Sequence, residues 1–374
     1  MKRLSLFFFF AWLLSISNIN AASFESANFP SLVSSLRIDM PLEFCGEAVP
    51  VKNQEIQERL EKELLLSLWD RPQVILWLKR SSRYFPHIEQ LLQEHEMPDD
   101  LKYVAIAESA LRPHAGSRKG AIGFWQFMPT TGLKYGLVIN ESFDERRNLF
   151  ASTAAAIQYF RELYQIFKSW TLAAAAYNMG EEGLLSEILE QDTANYYQLY
   201  LPLETQRYIF RILSVKLILS NPVRYGFNLA KDDYYPLLTF DRVQVDCAEA
   251  IPLRIIAQAG KTHFKAIKDL NPEIRGHYLA KGKHAILIPH GASVGFQLRY
   301  QSLADKFLEA RKEKVYIVKK GDNLSFIAER FGIPLASLII WNRIDIKQPI
   351  HPGDCLTIYE QEAKLNEPDT DQEQ

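Results

Sequence analysis

Glu108 lies in the run Leu101-Lys102-Tyr103-Val104-Ala105-Ile106-Ala107-Glu108-Ser109, where apolar positions 101, 104 and 105 make 108 the next member of one helical face. A carboxylate stands where a leucine is expected, and the i, i+3, i+4, i+7 spacing turns it inward. Such a group must be neutralised, paired or used. Burial favours the protonated form and raises the pKa, which suits a general acid working near neutral pH. A buried structural ion pair is the competing reading of this helix taken alone. Asp99 and Asp100 are suited to capping its start.

The segments that must position Glu108 carry more chemistry. Ser117 is followed by Gly120-Ala121-Ile122-Gly123-Phe124-Trp125-Gln126-Phe127-Met128-Pro129-Thr130-Thr131-Gly132, and later by Ala173-Ala174-Ala175-Ala176-Tyr177-Asn178-Met179-Gly180. Gly120 and Gly123 allow tight turns or close approach to a ligand, and Phe124, Trp125 and Phe127 offer flat apolar surfaces to sugar rings. Ser117 and Gln126 are uncharged donors and acceptors for amides and hydroxyls. Four alanines let a helix pack close to its neighbour and deliver Tyr177-Asn178 into a cleft. Packing accounts for the alanines and one or two aromatics, but not for the polar set.

These three ordered motifs resemble the soluble-type lytic transglycosylases, most closely the membrane-bound murein transglycosylase D branch. Phe143-Asp144-Glu145-Arg146-Arg147-Asn148 with Ala151 to Ala156, and Leu201 to Tyr208, are similar to that branch too, so the resemblance covers roughly 101 to 208. It implies a mainly α, lysozyme-like catalytic domain that cleaves peptidoglycan glycan strands between N-acetylmuramic acid and N-acetylglucosamine.

Composition is that of a folded protein of two or three domains: 47% of residues are apolar and 24% charged. A net charge of −2 gives no bias towards polyanions, so nucleic acid is not an expected partner. No P-loop or GxGxxG indicates a nucleotide, and no HExxH or close Cys/His cluster indicates a metal; no cofactor is expected. Met1-Lys2-Arg3, the apolar run to Leu14 and the small residues Ala21-Ala22 form a secretory signal pattern over 1–22, implying export to the periplasm. The first cysteine is Cys45, unlike the lipoprotein relatives of this branch. Cys45, Cys247 and Cys355 allow one disulfide and one thiol, with no pair selected.

Helical spacing over 54–78 and 84–96, with Leu60, Leu64, Leu65 and Leu68 in one stripe, and over 149–167 and 205–219, places the catalytic domain at 42–225. Asp144-Glu145 is expected to cap the helix that follows it. Beyond Asn221-Pro222 the chain repeats at a shift of 71, aligning Ile256-Ala257 with Ile327-Ala328 and Leu270-Asn271 with Trp341-Asn342. Strands flanking two short helices make the second copy, 315–359, resemble the LysM domain, a small α+β (βααβ) module that binds N-acetylglucosamine-containing glycans. Gly321, Asp322, Asn323 and Leu324 match its glycan-binding motif, with Asn323 in place of the usual threonine. The first copy, 239–290, is a degenerate LysM-like module without that motif. Residues 291–314 read as a charged linker helix and 360–374 as a disordered acidic tail.

Ordinary glycosidases use two carboxylates. Here only Glu108 is a convincing candidate, with Glu204 the nearest alternative. The resemblance resolves this, because a lytic transglycosylase needs one acid: it protonates the glycosidic oxygen and then deprotonates the C6 hydroxyl that attacks C1, leaving a 1,6-anhydromuramic end. The tethered nucleophile supplies the proximity advantage. It implies Glu108 as acid and base, with Ser117, Gln126, Met128, Tyr177 and Asn178 lining the substrate cleft. A hydrolytic muramidase of the same fold and a non-catalytic peptidoglycan-binding protein are the alternatives.

Overall fold

The structure is a computed structural model that describes residues 30–38, 41–310, 313–345 and 348–359. The expected export segment and acidic tail lie outside the described residues. The described chain opens with α1 (Leu32–Ser35), the hairpin β1 (Glu43–Phe44) and β2 (Glu47–Ala48), α2 (Gln54–Trp69) and α3 (Arg71–Glu94). Then come α4 (Lys102–Ser109), α5 (Pro129–Lys134), α6 (Leu149–Phe167), α7 (Trp170–Met179), α8 (Glu181–Glu190) and α9 (Leu203–Ser220). Strands β3 (Phe240–Cys247) and β4 (Ile251–Pro252), helices α10 (Leu253–Ala259) and α11 (Phe264–Leu270), and strands β5 (Tyr278–Leu279) and β6 (Gly282–Pro289) follow. The rest is α12 (Phe296–Ala310), β7 (Glu313–Ile317), α13 (Leu324–Arg330), α14 (Leu335–Trp341) and β8 (Cys355–Tyr359).

The described residues fall into two compact units, 30–80 with Pro98–Ala107 and Leu163–Tyr235, and Ser81–Met97 with Glu108–Glu162 and 236–359. The stretch 42–225 is therefore shared between them. In the first unit, α2 packs on α9 through the expected stripe, with Leu60 and Leu64 wholly buried alongside Ile209, Ile212 and Leu213. Asn53 caps α2, its Oδ1 accepting from Glu55 N at 2.9 Å. Glu63, buried on the same face, is paired with Arg207 of α9 at 2.5 Å. The helix break falls at Asp70 rather than after Leu78. Asp70 Oδ1 accepts from Gln73 N at 3.2 Å, and Pro72 in the new first turn needs no N–H partner. Ala173 to Ala176 are wholly buried where α7 packs on α8 and α9, as their small size requires.

The second unit contains the LysM-like repeat. In the first copy β3 and β6 pair antiparallel from Phe240↔Pro289 to Cys247↔Gly282; in the second, β7 and β8 pair from Glu313↔Tyr359 to Ile317↔Cys355. One asparagine joins helix to strand in each. Asn271 Nδ2 donates to the carbonyls of Ile267 (2.7 Å) and Leu287 (2.8 Å), and its Oδ1 accepts from Leu287 N. Asn342 does the same with Leu338, Thr357 O and Thr357 N. The repeat read from sequence is thus also a repeat of the internal polar clamp.

The expected linker helix is different in kind. Phe296, Tyr300 and Ala304 of α12 are buried in the first copy's core with Val245, Ile256 and Ile286. Their spacing of four makes an apolar stripe that the charged residues between them mask.

Candidate active site

Glu108 is in the last turn of α4. Leu101, Val104 and Ala105 are wholly buried as the spacing requires, but Glu108 itself is half-buried, because the helix ends one residue later. Ala110 (φ 53°) and Leu111 (φ 56°) then adopt the left-handed conformation, a costly state for residues with side chains. Ser109 fixes this end: buried to 2% exposure, its hydroxyl donates to the carbonyl of Phe124 at 2.8 Å. The expected aspartate caps at the other end are absent. Asp100 instead accepts from Cys45 N and Lys216 Nζ, both at 2.7 Å, while Asp99 pairs with Lys102.

The loop after α4 folds on itself. Ser117 is exposed, and its Oγ accepts from Ala121 N at 3.0 Å across a turn that Gly120 (φ +93°) makes possible. Gln126, half-buried and left-handed at φ 50°, donates through Nε2 to the carbonyls of Ala115 (3.1 Å) and Gly123 (2.9 Å). With both amide hydrogens committed, it can offer a ligand only its Oε1 acceptor. Met128 precedes α5 and is 39% exposed, so it is not a core residue.

Phe124, Trp125 and Phe127 are 1–2% exposed and do not present faces to sugar. The Trp125 indole donates to Thr153 Oγ1 at 2.9 Å, and its ring meets Phe160 edge-on. They are the core beneath the loop. Arg146, which the sequence reading gave no role, holds that loop from the other side. Its Nη1 donates to Gly120 O (3.0 Å) and Phe127 O (3.2 Å), and its Nε and Nη2 form a buried two-point pair with Asp144, both at 2.8 Å. Asp144 therefore does not act as the expected helix cap. Asn148 does that for α6, its Oδ1 accepting from Phe150 N and Ala151 N. Backbone approach here is so close that a Cβ on Gly123 would lie 1.7 Å from Arg146 O.

Tyr177 and Asn178 belong to the other unit, half-buried at the end of α7. Thr205 Oγ1 donates to Asn178 Oδ1 at 2.9 Å, which leaves the Asn178 amide hydrogens to face a ligand. The start of α7 is held by Glu47. Its carboxylate accepts from Ser169 Oγ, Trp170 N, Thr171 N and Thr171 Oγ1, a negative charge at the positive end of the helix. Glu47 is presented by a two-residue turn in which Cys45 (φ 53°) and Gly46 (φ 81°) both take positive φ. Glu204 is 60% exposed and paired with Arg211 at 3.0 Å.

In the second copy of the repeat, Gly321 (φ +94°) turns the chain. Asp322 accepts from Tyr316 OH (2.6 Å) and Lys319 N (2.8 Å), so its carboxyl is held below the usual range by these bonds. Asn323 caps α13 through Phe326 N at 2.8 Å. Asp322, Asn323, Leu324 and the 64% exposed Phe326 face Gln348, Pro349 and Ile350 across a groove of about 560 Å³, which Gly321 does not line. In the first copy the corresponding loops are joined: Ile251↔Leu279 and Pro252↔Tyr278 pair as β4 and β5, and Leu253 N donates to His277 O at 2.8 Å. Ile251, Leu253 and Leu279 are at most 1% exposed, so the β4–β5 pair covers these positions.

Among the described residues no group of three or more His, Cys, Asp and Glu could hold a metal ion, and all three cysteines are thiols. No single described helix is long and apolar enough to cross a membrane.

Residues 86–199 match the family described as Transglycosylase SLT domain, and 316–358 match LysM domain. The membrane-bound lytic murein transglycosylase D of Escherichia coli K12 is 32% identical over 296 residues, 75% of this chain and 64% of that protein. A putative tributyltin chloride resistance protein of an Alteromonas strain is 31% identical over 117 residues, 30% of this chain and 56% of the other. The crystal structure of the 70 kDa soluble lytic transglycosylase of Escherichia coli superposes with a TM-score of 0.34 at 18% identity, covering 49% of this chain and 33% of that one. The chain thus spans a little under two thirds of the murein transglycosylase that it matches. Glu108 and the Gly120–Gly132 loop lie inside the first match, and the groove at Asn323 inside the second: the chain carries a Transglycosylase SLT domain over 86–199 and a LysM domain over 316–358.

Proposed function

We propose that the protein is a peptidoglycan lytic transglycosylase of the cell envelope, exported to the periplasm, that cuts the β-1,4 bond between N-acetylmuramic acid and N-acetylglucosamine. The observation that carries this reading is the half-buried carboxylate of Glu108 at a helix end that Ser109 ties to a braced glycine-rich loop, inside the SLT match. Glu108 donates its proton to the bridging oxygen as the C1–O bond breaks. The resulting carboxylate takes the proton of the muramic C6 hydroxyl as that oxygen bonds to C1, so acid and base are one group and no water is consumed. Gln126 accepts from a sugar amide or hydroxyl and Asn178 donates to one, with Ser117, Met128 and Tyr177 lining the cleft. The LysM groove at Asp322–Leu324, turned into place by Gly321, retains the enzyme on N-acetylglucosamine-containing strands. Glu204, exposed and paired with Arg211, is poorly placed to activate a water, which disfavours a two-carboxylate hydrolase.

The test is digestion of purified sacculi, with the released muropeptides read by mass spectrometry. The expected products carry 1,6-anhydromuramic ends, one water lighter than hydrolytic products. Glu108→Gln is expected to lower their release by about 10²–10⁴-fold while sacculus binding persists. Hydrated ends would replace the reading by a muramidase; undiminished cleavage by Glu108→Gln would remove Glu108 from its role.

A further inference from the structure

In the first LysM-like copy the loops that correspond to the glycan motif are paired with each other, and the module lines a different groove. Its segment 273–275 pairs with the catalytic segment 140–145: Phe143 bridges Ile274, Asp144 N donates to Glu273 O at 2.8 Å, and Arg275 N donates to Ser142 O at 2.9 Å. Phe143 stacks on His284 of β6 with ring centroids 5.2 Å apart and 15° between planes. Between these walls is a groove of about 790 Å³, in the size range of small-ligand sites.

Its lining carries both charges. Arg242, Lys281 and Lys283 come from the module, Glu141 and Glu145 from the catalytic segment, and Phe143 and Phe150 add apolar surface. Lys281 is exposed and pairs loosely with Glu249 at 3.5 Å, whereas Lys283 is exposed and makes no ion pair among the described residues. Glu273 also lines the groove. Its side chain is 6% exposed, and its Oε2 has no hydrogen-bond partner among the described residues. A buried carboxylate oxygen without a donor is costly, and the missing donor is a natural place for a ligand's ammonium group. A sugar chain has no charge to match these groups. A short peptide bearing carboxylates and a free amine matches them all.

We propose that this groove binds the peptide stems of peptidoglycan, the ligand's carboxylates meeting Arg242, Lys281 and Lys283 and its ammonium meeting Glu273 and Glu145. The choice of stems over other zwitterionic peptides rests on the transglycosylase reading. Saccharide recognition is then left to the second copy, and the first reads the peptides that the strand carries.

The experiment is calorimetric titration of the full chain with a free stem tetrapeptide, with an all-L linear peptide of the same charges, and with a chitooligosaccharide. Saturable binding of the stem is expected, weakened at least tenfold by Lys283→Glu and by Glu273→Gln, while both variants bind the oligosaccharide as the parent does. Absence of stem binding, stem binding unchanged in both variants, or equal binding of the all-L peptide overturns the proposal. Cleavage of peptide-free glycan strands is measured alongside. If no anhydro ends form there, the transglycosylase reading fails while the titration still decides the groove; if they form equally in parent and Lys283→Glu, that reading stands whatever the titration shows.

Discussion

At Gly123 the demands of the backbone are strictest. The residue combines φ +88° with an approach to Arg146 O that a methyl group cannot share, so Gly123→Ala must push Arg146 out of its place beneath the loop. The expected cost is about 1–3 kcal/mol from overpacking alone. Cleavage should fall as well, because Arg146 holds the Gly120 and Phe127 carbonyls. Urea denaturation beside the sacculus assay checks both. Glu273 makes a prediction in pH. Burial, with a smaller push from Glu145, raises its carboxyl from the ordinary 4.5 to about 6, against the opposing effects of the Asn148 hydrogen bond and the Lys268 charge. Folded protein therefore holds this proton more tightly than unfolded chain does. The associated stability is fully present below about pH 4.5 and is lost as pH rises through 6, a change of about 2 kcal/mol. Glu273→Gln should flatten that part of the stability profile and stabilise the protein at neutral pH, as scanning calorimetry at pH 4.5 and 7 would show; an unchanged profile would mean that another group sets it.

Among the elements, α7 shows what holds a proposed site residue that is remote from its support. Glu47 receives four hydrogen bonds at the start of the helix, and Tyr177-Asn178 stands at its end. Glu47→Ala leaves those donors without their carboxylate and is expected to cost about 1–2 kcal/mol, with Glu47→Gln falling between it and the parent. A shift of the urea midpoint measures it, and an unmoved midpoint would assign the capping to Ser169 alone. Periodicity makes α2, α6 and α9 legible in the sequence, and spacing places Glu108 on its helix. What it does not disclose is pairing across long separations. Glu47 with Thr171, Asp100 with Lys216, and the face of Trp125 that meets Thr153 depend on tertiary packing, whereas local propensity favours caps at Asp99 and Asp144 that do not form. The same limit explains why Phe124, Trp125 and Phe127 read as sugar platforms: a motif rich in aromatics and glycine looks alike whether its rings face a ligand or a core.

For the molecule as a whole, the proposal gives the two copies of the repeat different work, and two truncations separate their parts. Ending the chain after Lys312 removes the open groove at Asn323 and leaves α12 intact, so the first copy keeps Phe296, Tyr300 and Ala304 in its core. That protein should fold and cut soluble glycan strands while its retention on sacculi drops at least tenfold, since the β4–β5 pairing joins the corresponding loops of the first copy. Ending it after Pro289 looks equally harmless if α12 is a spacer. Yet it strips two aromatic side chains from the core, each loss comparable to a large-to-alanine substitution of about 3–5 kcal/mol. The first copy should then unfold, and with it the wall that pairs with Phe143, so circular dichroism and cleavage are expected to fail together in the shorter chain only. Full sacculus binding by the longer truncation would return glycan recognition to the first copy, and a stable, active shorter chain would return α12 to the status of a linker.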